Sequence, residues 1–202
     1  MAEILVLFAT REGQTEKIAR RVTAVLEAKG HRVDLRDVDR TSRELDLRRY
    51  QAIFIGSPVR VGSYLPSIVR FIRSRRESLE RAPAAFFSVS LAVAPHRGER
   101  KSDGRAETMR VVEKLTRATG WSPRRVELIA GALAYSKYNF LVRFVMRRIS
   151  AAAGGDTDTS RDYEYTDWNA VDAFASEFVD QAVGTRPVQP PAEVRVSGDA
   201  VI

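Results

Sequence analysis

The stretch Ile4 to Thr15, ILVLFATREGQT, constrains the fold more than any other: an apolar run breaks into a small polar loop and then opens a helix. Such a run reads as the first strand of an open α/β sheet, and a loop at the strand's carboxyl end lies where these sheets bind ligands. Thr10, Gln14 and Thr15 bring hydroxyl and amide donors, and Gly13 lets the backbone come close or take positive φ. The helix from about Thr15 adds unpaired N–H groups at the positive end of its dipole. Such a loop can hold a phosphate without a metal. Both glycine-rich nucleotide signatures are missing, since neither G-x-G-x-x-G nor G-x-x-x-x-G-K-[ST] fits. An ordinary strand-to-helix turn with Thr15 as N-cap is the competing reading of these residues alone.

Composition closes off other chemistries. The 202 residues contain no cysteine, which excludes disulfides, thiolate catalysis and cysteine-held metal, and two histidines, His31 and His96, argue against a histidine-built metal site. Any redox chemistry must then come from a bound organic cofactor. No run approaches the about 18 apolar residues of a membrane span, and the N-terminus has no signal segment, so a cytoplasmic location is expected. The 33 basic and 26 acidic residues leave a net charge of +7, which favours an anionic partner.

Along the chain, Thr15 to Lys29 places Ile18, Val22, Val25 and Leu26 at helical spacing and stops at Gly30. Val33 to Val38 alternates like a strand near a sheet edge, and Ala52 to Gly56 is a short apolar run suited to a buried strand. A second unusual loop, Gly56 to Tyr64, precedes a helix from about Leu65 with Pro66 in its first turn and Ile68, Val69 and Ile72 inward. Ala84 to Ser90 is a fourth strand, Ala94 to Gly104 a surface loop, and Arg105 to Gly120 a helix with Met109, Val112 and Leu115 or their neighbours inward. Val126 to Ala132 is a fifth strand, and Asp167 to Val183 an amphipathic helix with Trp168, Val171, Phe174, Phe178 and Val179 on one face. Five strands alternating with helices predict a doubly wound parallel sheet of order 2-1-3-4-5, which brings the carboxyl ends of strands one, three and four together.

The segment from Leu133 to Thr166 is too long for a simple strand-to-helix connection. Within it, Lys137 to Ser150 holds Lys137, Arg143, Arg147 and Arg148 and no acid. At 100° per residue, Tyr138, Leu141, Val142, Val145, Met146 and Ile149 share an apolar arc, while Phe140 and Phe144 fall among the cations. That placement suits a helix touching membrane, a quinone or another subunit, or else a satellite helix whose phenylalanines tuck under a neighbouring loop. Asp156 and Asp158 lack the spacing of a calcium loop, and Thr166 or Asp167 caps the last helix. The reading is one domain over residues 1–183 with an insertion at 133–166, followed by a flexible proline-bearing tail over 184–202.

The loop pattern T-x-E-G-x-T after a strand resembles the flavodoxin phosphate loop. With LFATREGQT, IGSPVRVGSY, FFSVSLAVA and IAGALAYSKYNFLVRFVMRRIS running into GGDTDTSRDYEYTDW, the chain resembles the menaquinone-dependent protoporphyrinogen oxidase family. It departs from that family's second loop at Val61, Ser63 and Leu65. The resemblance implies a flavodoxin-like fold, noncovalent FMN, six-electron oxidation of protoporphyrinogen IX in haem biosynthesis, and menaquinone or another respiratory quinone as acceptor. It implies that Thr10, Arg11, Gly13, Gln14 and Thr15 hold the FMN phosphate, with Glu12 beside them among the cofactor-binding residues. Ser57, Pro58, Val59, Arg60, Gly62 and Tyr64, with Ser88, Val89, Ser90, Leu91 and Ala92, would surround the isoalloxazine ring. No residue is assigned as acid or base, because the flavin carries the chemistry.

Two of these side chains have competing readings. Tyr64 either stacks on the ring or caps the next helix as a surface aromatic, and Arg60 either meets an anionic ligand or the reduced flavin, or is solvated. Lys137, Phe140, Arg143, Phe144, Arg147 and Arg148 are candidates for substrate or membrane contact, on a protein peripheral to the cytoplasmic face of the membrane. A second copy of the chain is a further candidate partner. An NAD(P)H:quinone oxidoreductase is the alternative enzyme, on the likeness of SPVRVG to the second flavin loop of that group. An FMN electron carrier fits less well, since such carriers are usually acidic. Nucleic acid is not expected, as no reader motif is present.

Overall fold

The computed structural model describes residues 1–41, 45–95, 103–133 and 160–184. Five strands, β1 (Glu3–Phe8), β2 (Arg32–Asp37), β3 (Ala52–Pro58), β4 (Ala84–Ser90) and β5 (Arg125–Ala130), form one parallel sheet in the order β2-β1-β3-β4-β5. Every residue of β4, and all but one each in β1 and β3, is buried, as expected of strands covered on both faces. At the edge, β2 keeps Arg32 and Arg36 exposed. The helices are α1 (Gln14–Ala28), α2 (Pro66–Ser74), α3 (Arg76–Arg81), α4 (Gly104–Thr119) and α5 (Trp168–Gly184). This is the flavodoxin-like architecture expected from the sequence.

Alternation along the strands divides the interior into two cores. Ile4, Val6, Phe8, Phe54 and Phe87 meet Ile18, Val22 and Leu26 of α1 and Phe174 and Phe178 of α5. Leu5, Leu7, Ile53, Ile55 and Phe86 meet Ile68 and Ile72 of α2, Leu79 of α3, Leu115 of α4, and Trp121. Phe54 sits edge-on to Phe174 and Phe178, with centroids 5.6 and 5.1 Å away, an arrangement worth about 0.5–1.5 kcal/mol per pair beyond burial. Gly56 is dictated by this packing, because a Cβ there would lie 2.0 Å from the Phe87 ring.

Several expectations are corrected. α4 buries Val112 and Leu115 as expected, with their neighbours Thr108, Val111 and Thr119, while Met109 is exposed. Thr108 and Thr119 can be buried because their hydroxyls donate to the carbonyls of Gly104 and Leu115, both at 2.8 Å. β2 stops at Asp37, whose carboxylate accepts from Asp39 N at 2.9 Å and starts a 3-10 turn. β5 ends at Ala130. After Gly131, the short strand β6 (Ala132–Leu133) pairs antiparallel with β7 (Tyr163–Glu164), so the two ends of the insertion form a ribbon. Asp167 caps α5 by accepting from Ala170 N at 3.1 Å, while Thr166 bonds elsewhere. The predicted helix over Lys137 to Ser150, with Asp156, Asp158 and the tail from 185 to 202, lies outside the described residues.

Candidate functional site

The carboxyl ends of β1, β3, β4 and β5 open into a cleft of about 410 Å³. Thr10, Glu12, Gln14 and Thr15 line it from the first loop, Pro58, Val59, Arg60 and Val61 from the second, Val89, Ser90 and Leu91 from the third, and Gly131 and Ala132 from the end of β5. Most of the expected contact residues therefore converge. Val61, Gly131 and Ala132 are additions that the sequence reading did not include. The expected fifth strand ran on to Ala132 and so enclosed Gly131 and Ala132, whereas β5 ends at Ala130 and leaves both at its carboxyl edge.

The first loop is shaped by Gly13, which has φ +96° and serves as N-cap of α1, so the helix begins at Gln14 and the expectation of Thr15 as cap is corrected. Gly13 N donates to Thr10 Oγ1 at 3.0 Å, drawing the loop into a tight turn. Among the described residues no side chain caps the first turn of α1. The Thr15 hydroxyl lies on the cleft wall with its residue 1% exposed, and among the described residues nothing hydrogen-bonds to it. A buried hydroxyl without a partner beside unpaired N–H groups is a donor set for an anion.

The second loop turns sharply. Arg60 N donates to Ser63 O at 2.7 Å and Ser63 N to Arg60 O at 3.0 Å, closing a two-residue turn in which Val61 has φ +46° and Gly62 φ +67°. Val61 is fully exposed on the cleft rim. Arg60 Nη1 donates to Glu12 Oε1, which ties the second loop to the first, and the Arg60 side chain remains partly exposed.

Tyr64 departs from both of its readings. Its ring is 5% exposed and packs edge-on to Phe86 at 5.0 Å, and its hydroxyl donates to Ser88 Oγ at 2.8 Å. Burial pushes the phenol up to about 12, against the smaller opposing effect of Ser88. Tyr64 packs within the core and does not line the cleft. Ser57 and Ser88 are likewise fully buried and do not line the cleft. Arg11, Gly13, Gly62 and Ala92 lie in its loops without lining it. Lys137, Phe140, Arg143, Phe144, Arg147 and Arg148 lie outside the described residues.

Behind the first loop stands β7. Gln14 Nε2 donates to Glu164 Oε1 at 3.0 Å and to Thr166 Oγ1 at 2.9 Å, and Lys17 Nζ reaches Glu164 Oε2 at 2.6 Å. Partial burial works against the charge on Glu164, yet the hydrogen bonds from Lys17 and Gln14 hold its carboxyl below the usual glutamate range.

A family model described as a flavodoxin domain matches residues 5–160. The chain belongs to that family. Protoporphyrinogen IX dehydrogenase [quinone] of Escherichia coli K12 is 35% identical over 174 residues, covering 86% of this chain and 92% of that protein. The protein of the same name from Leishmania major is 33% identical over 190 residues, covering 91% and 78%. These relatives support the family resemblance carried by the sequence motifs.

Among solved structures, a short-chain flavodoxin associated with a PDU bacterial microcompartment has a TM-score of 0.52 at 12% identity, covering 90% of this chain and 99% of that one. A WrbA-like flavodoxin from Agrobacterium tumefaciens scores 0.51 at 12% identity, covering 92% and 100%. Those two likenesses speak to the fold. As a flavodoxin-family oxidoreductase the chain uses FMN as its cofactor. The residues fit that group: the first loop offers unpaired donors for a phosphate, and Val59, Val61, Val89 and Leu91 supply apolar walls for a flat ring.

Proposed function

We propose that the chain catalyses oxidation of protoporphyrinogen IX to protoporphyrin IX in haem biosynthesis, with electrons passing to a respiratory quinone such as menaquinone. The observation that carries this reading is the match to relatives named for that reaction at 35% and 33% identity over most of this chain. The cleft supports it. Six electrons and six protons leave the porphyrinogen in three two-electron turnovers, and each turnover converts one quinone to its quinol. FMN, when bound, supplies the two-electron redox chemistry that amino-acid side chains lack.

The chain's own residues bind and orient. The first-turn N–H groups of α1 and the hydroxyls of Thr10 and Thr15 hold the phosphate, and the loops after β3 and β4 flank the ring. Pro58, Val59, Val61, Val89, Leu91 and Ala132 keep water from the ring's walls. The charged side chains that line the cleft, Glu12 and Arg60, are engaged with each other, so substrate protons leave to solvent at the open mouth. An apolar quinone resides in lipid, and a net charge of +7 suits work at an anionic membrane surface.

Absorbance of the FMN-loaded protein under anaerobic conditions tests the reading. Protoporphyrinogen IX is expected to bleach the flavin, and a menaquinone analogue to restore it. Bleaching by NAD(P)H but not by the porphyrinogen would replace the proposal with an NAD(P)H:quinone oxidoreductase.

A further inference from the structure

Gln14 has a single side-chain NH₂ group, and both of its hydrogens are engaged, one by Glu164 and one by Thr166. A carboxylate only accepts, so the amide must turn its nitrogen toward Glu164, and no side-chain hydrogen is left for a phosphate. Thr166 Oγ1 in turn donates to Ala130 O at 2.7 Å, and its hydroxyl therefore accepts from Gln14. The result is a directed chain of hydrogen bonds from the first turn of α1, through Thr166, to the last residue of β5. Lys17 adds an ion pair to Glu164 one turn further along the helix and lies over the Trp168 ring at 5.1 Å. Gln14 and these partners are 150 and 152 residues apart in sequence, and they join the ribbon at the exit of the insertion to the loop expected to seat the phosphate.

We propose that Glu164 and Thr166 are positioning residues for FMN: by holding the Gln14 side chain, they fix the turn from which the backbone N–H groups and the Thr15 hydroxyl face the phosphate. The ribbon thereby contributes to cofactor affinity without touching the cofactor. This rests on the reading of the Thr10 to Thr15 loop as the phosphate seat, and is independent of which substrate the enzyme oxidises.

Riboflavin, which has the ring but no phosphate, separates the two ideas. Fluorescence titrations of the full chain freed of flavin would compare FMN with riboflavin for the unsubstituted protein and for Thr166→Val, Thr166→Ser and Glu164→Ala. Thr166→Val and Glu164→Ala are each expected to raise the FMN dissociation constant roughly five- to tenfold and that of riboflavin by less than about twofold, while Thr166→Ser stays near the original. Parallel losses for both flavins, or no loss for either, would overturn the positioning role. Equal affinity of the unsubstituted chain for FMN and riboflavin would overturn the phosphate seat itself, and the inference with it.

Discussion

Val61 is a β-branched residue held at φ +46°, a conformation that crowds its Cβ against the backbone at a cost of about 1–2 kcal/mol. Nothing in the packing repays this, since the side chain is fully exposed. Asparagine tolerates the left-handed region and suits the first position of a two-residue turn with both φ positive. Val61→Asn is therefore expected to stabilise the protein by about 1 kcal/mol, seen as a higher urea midpoint with unchanged slope. If the midpoint stays or falls, the strain assigned to this turn is absent. Tyr64 gives the opposite case. Removing its hydroxyl in Tyr64→Phe leaves buried Ser88 without that partner and is expected to cost about 1 kcal/mol while leaving the cleft walls and flavin binding intact. Loss of flavin from the purified variant would show that Tyr64 does more than pack within the core.

At the level of elements, β7 is fastened to α1 by a carboxylate whose folded-state proton affinity is depressed. Glu164 thus contributes stability that is present in full above its unfolded value near 4.5, and that contribution is lost as pH falls through the lower folded value. Glu164→Gln is expected to be less stable than the unsubstituted protein at pH 7, with a narrower gap at pH 3, in urea unfolding. A gap of equal size at both pH values would mean that the charge contributes nothing.

This attachment was not legible in the sequence, because nothing local ties Gln14 to Thr166. Gln14 looked like a phosphate donor because its type and place suit one, and only the folded chain shows its amide engaged elsewhere. The elements themselves were more readable. Ala52 to Gly56 and Ala84 to Ser90 announced buried strands by unbroken apolarity, and Ile18, Val22 and Leu26 fixed the inner face of α1. On α4, apolar periodicity finds Val112 and Leu115 but not Thr108 and Thr119, which enter the core by satisfying their hydroxyls on their own helix. Similarly, Gly131 and Ala132 join the site through their position at the end of a strand, which residue chemistry does not reveal.

For the whole molecule, the strand order follows from right-handed crossovers applied to five strands, and that order places three loops around one cleft. The motifs from LFATREGQT to YTDW carry the family resemblance because they span both the sheet and the insertion. The extra feature of this chain is how that insertion is mounted. Ala132 faces Glu164 and Leu133 faces Tyr163, so the chain leaves the sheet and returns to it at adjacent points. The ribbon works as a socket: pairing of its two strands fixes both ends of the inserted segment at one point, beside the cleft wall that Gly131 and Ala132 form.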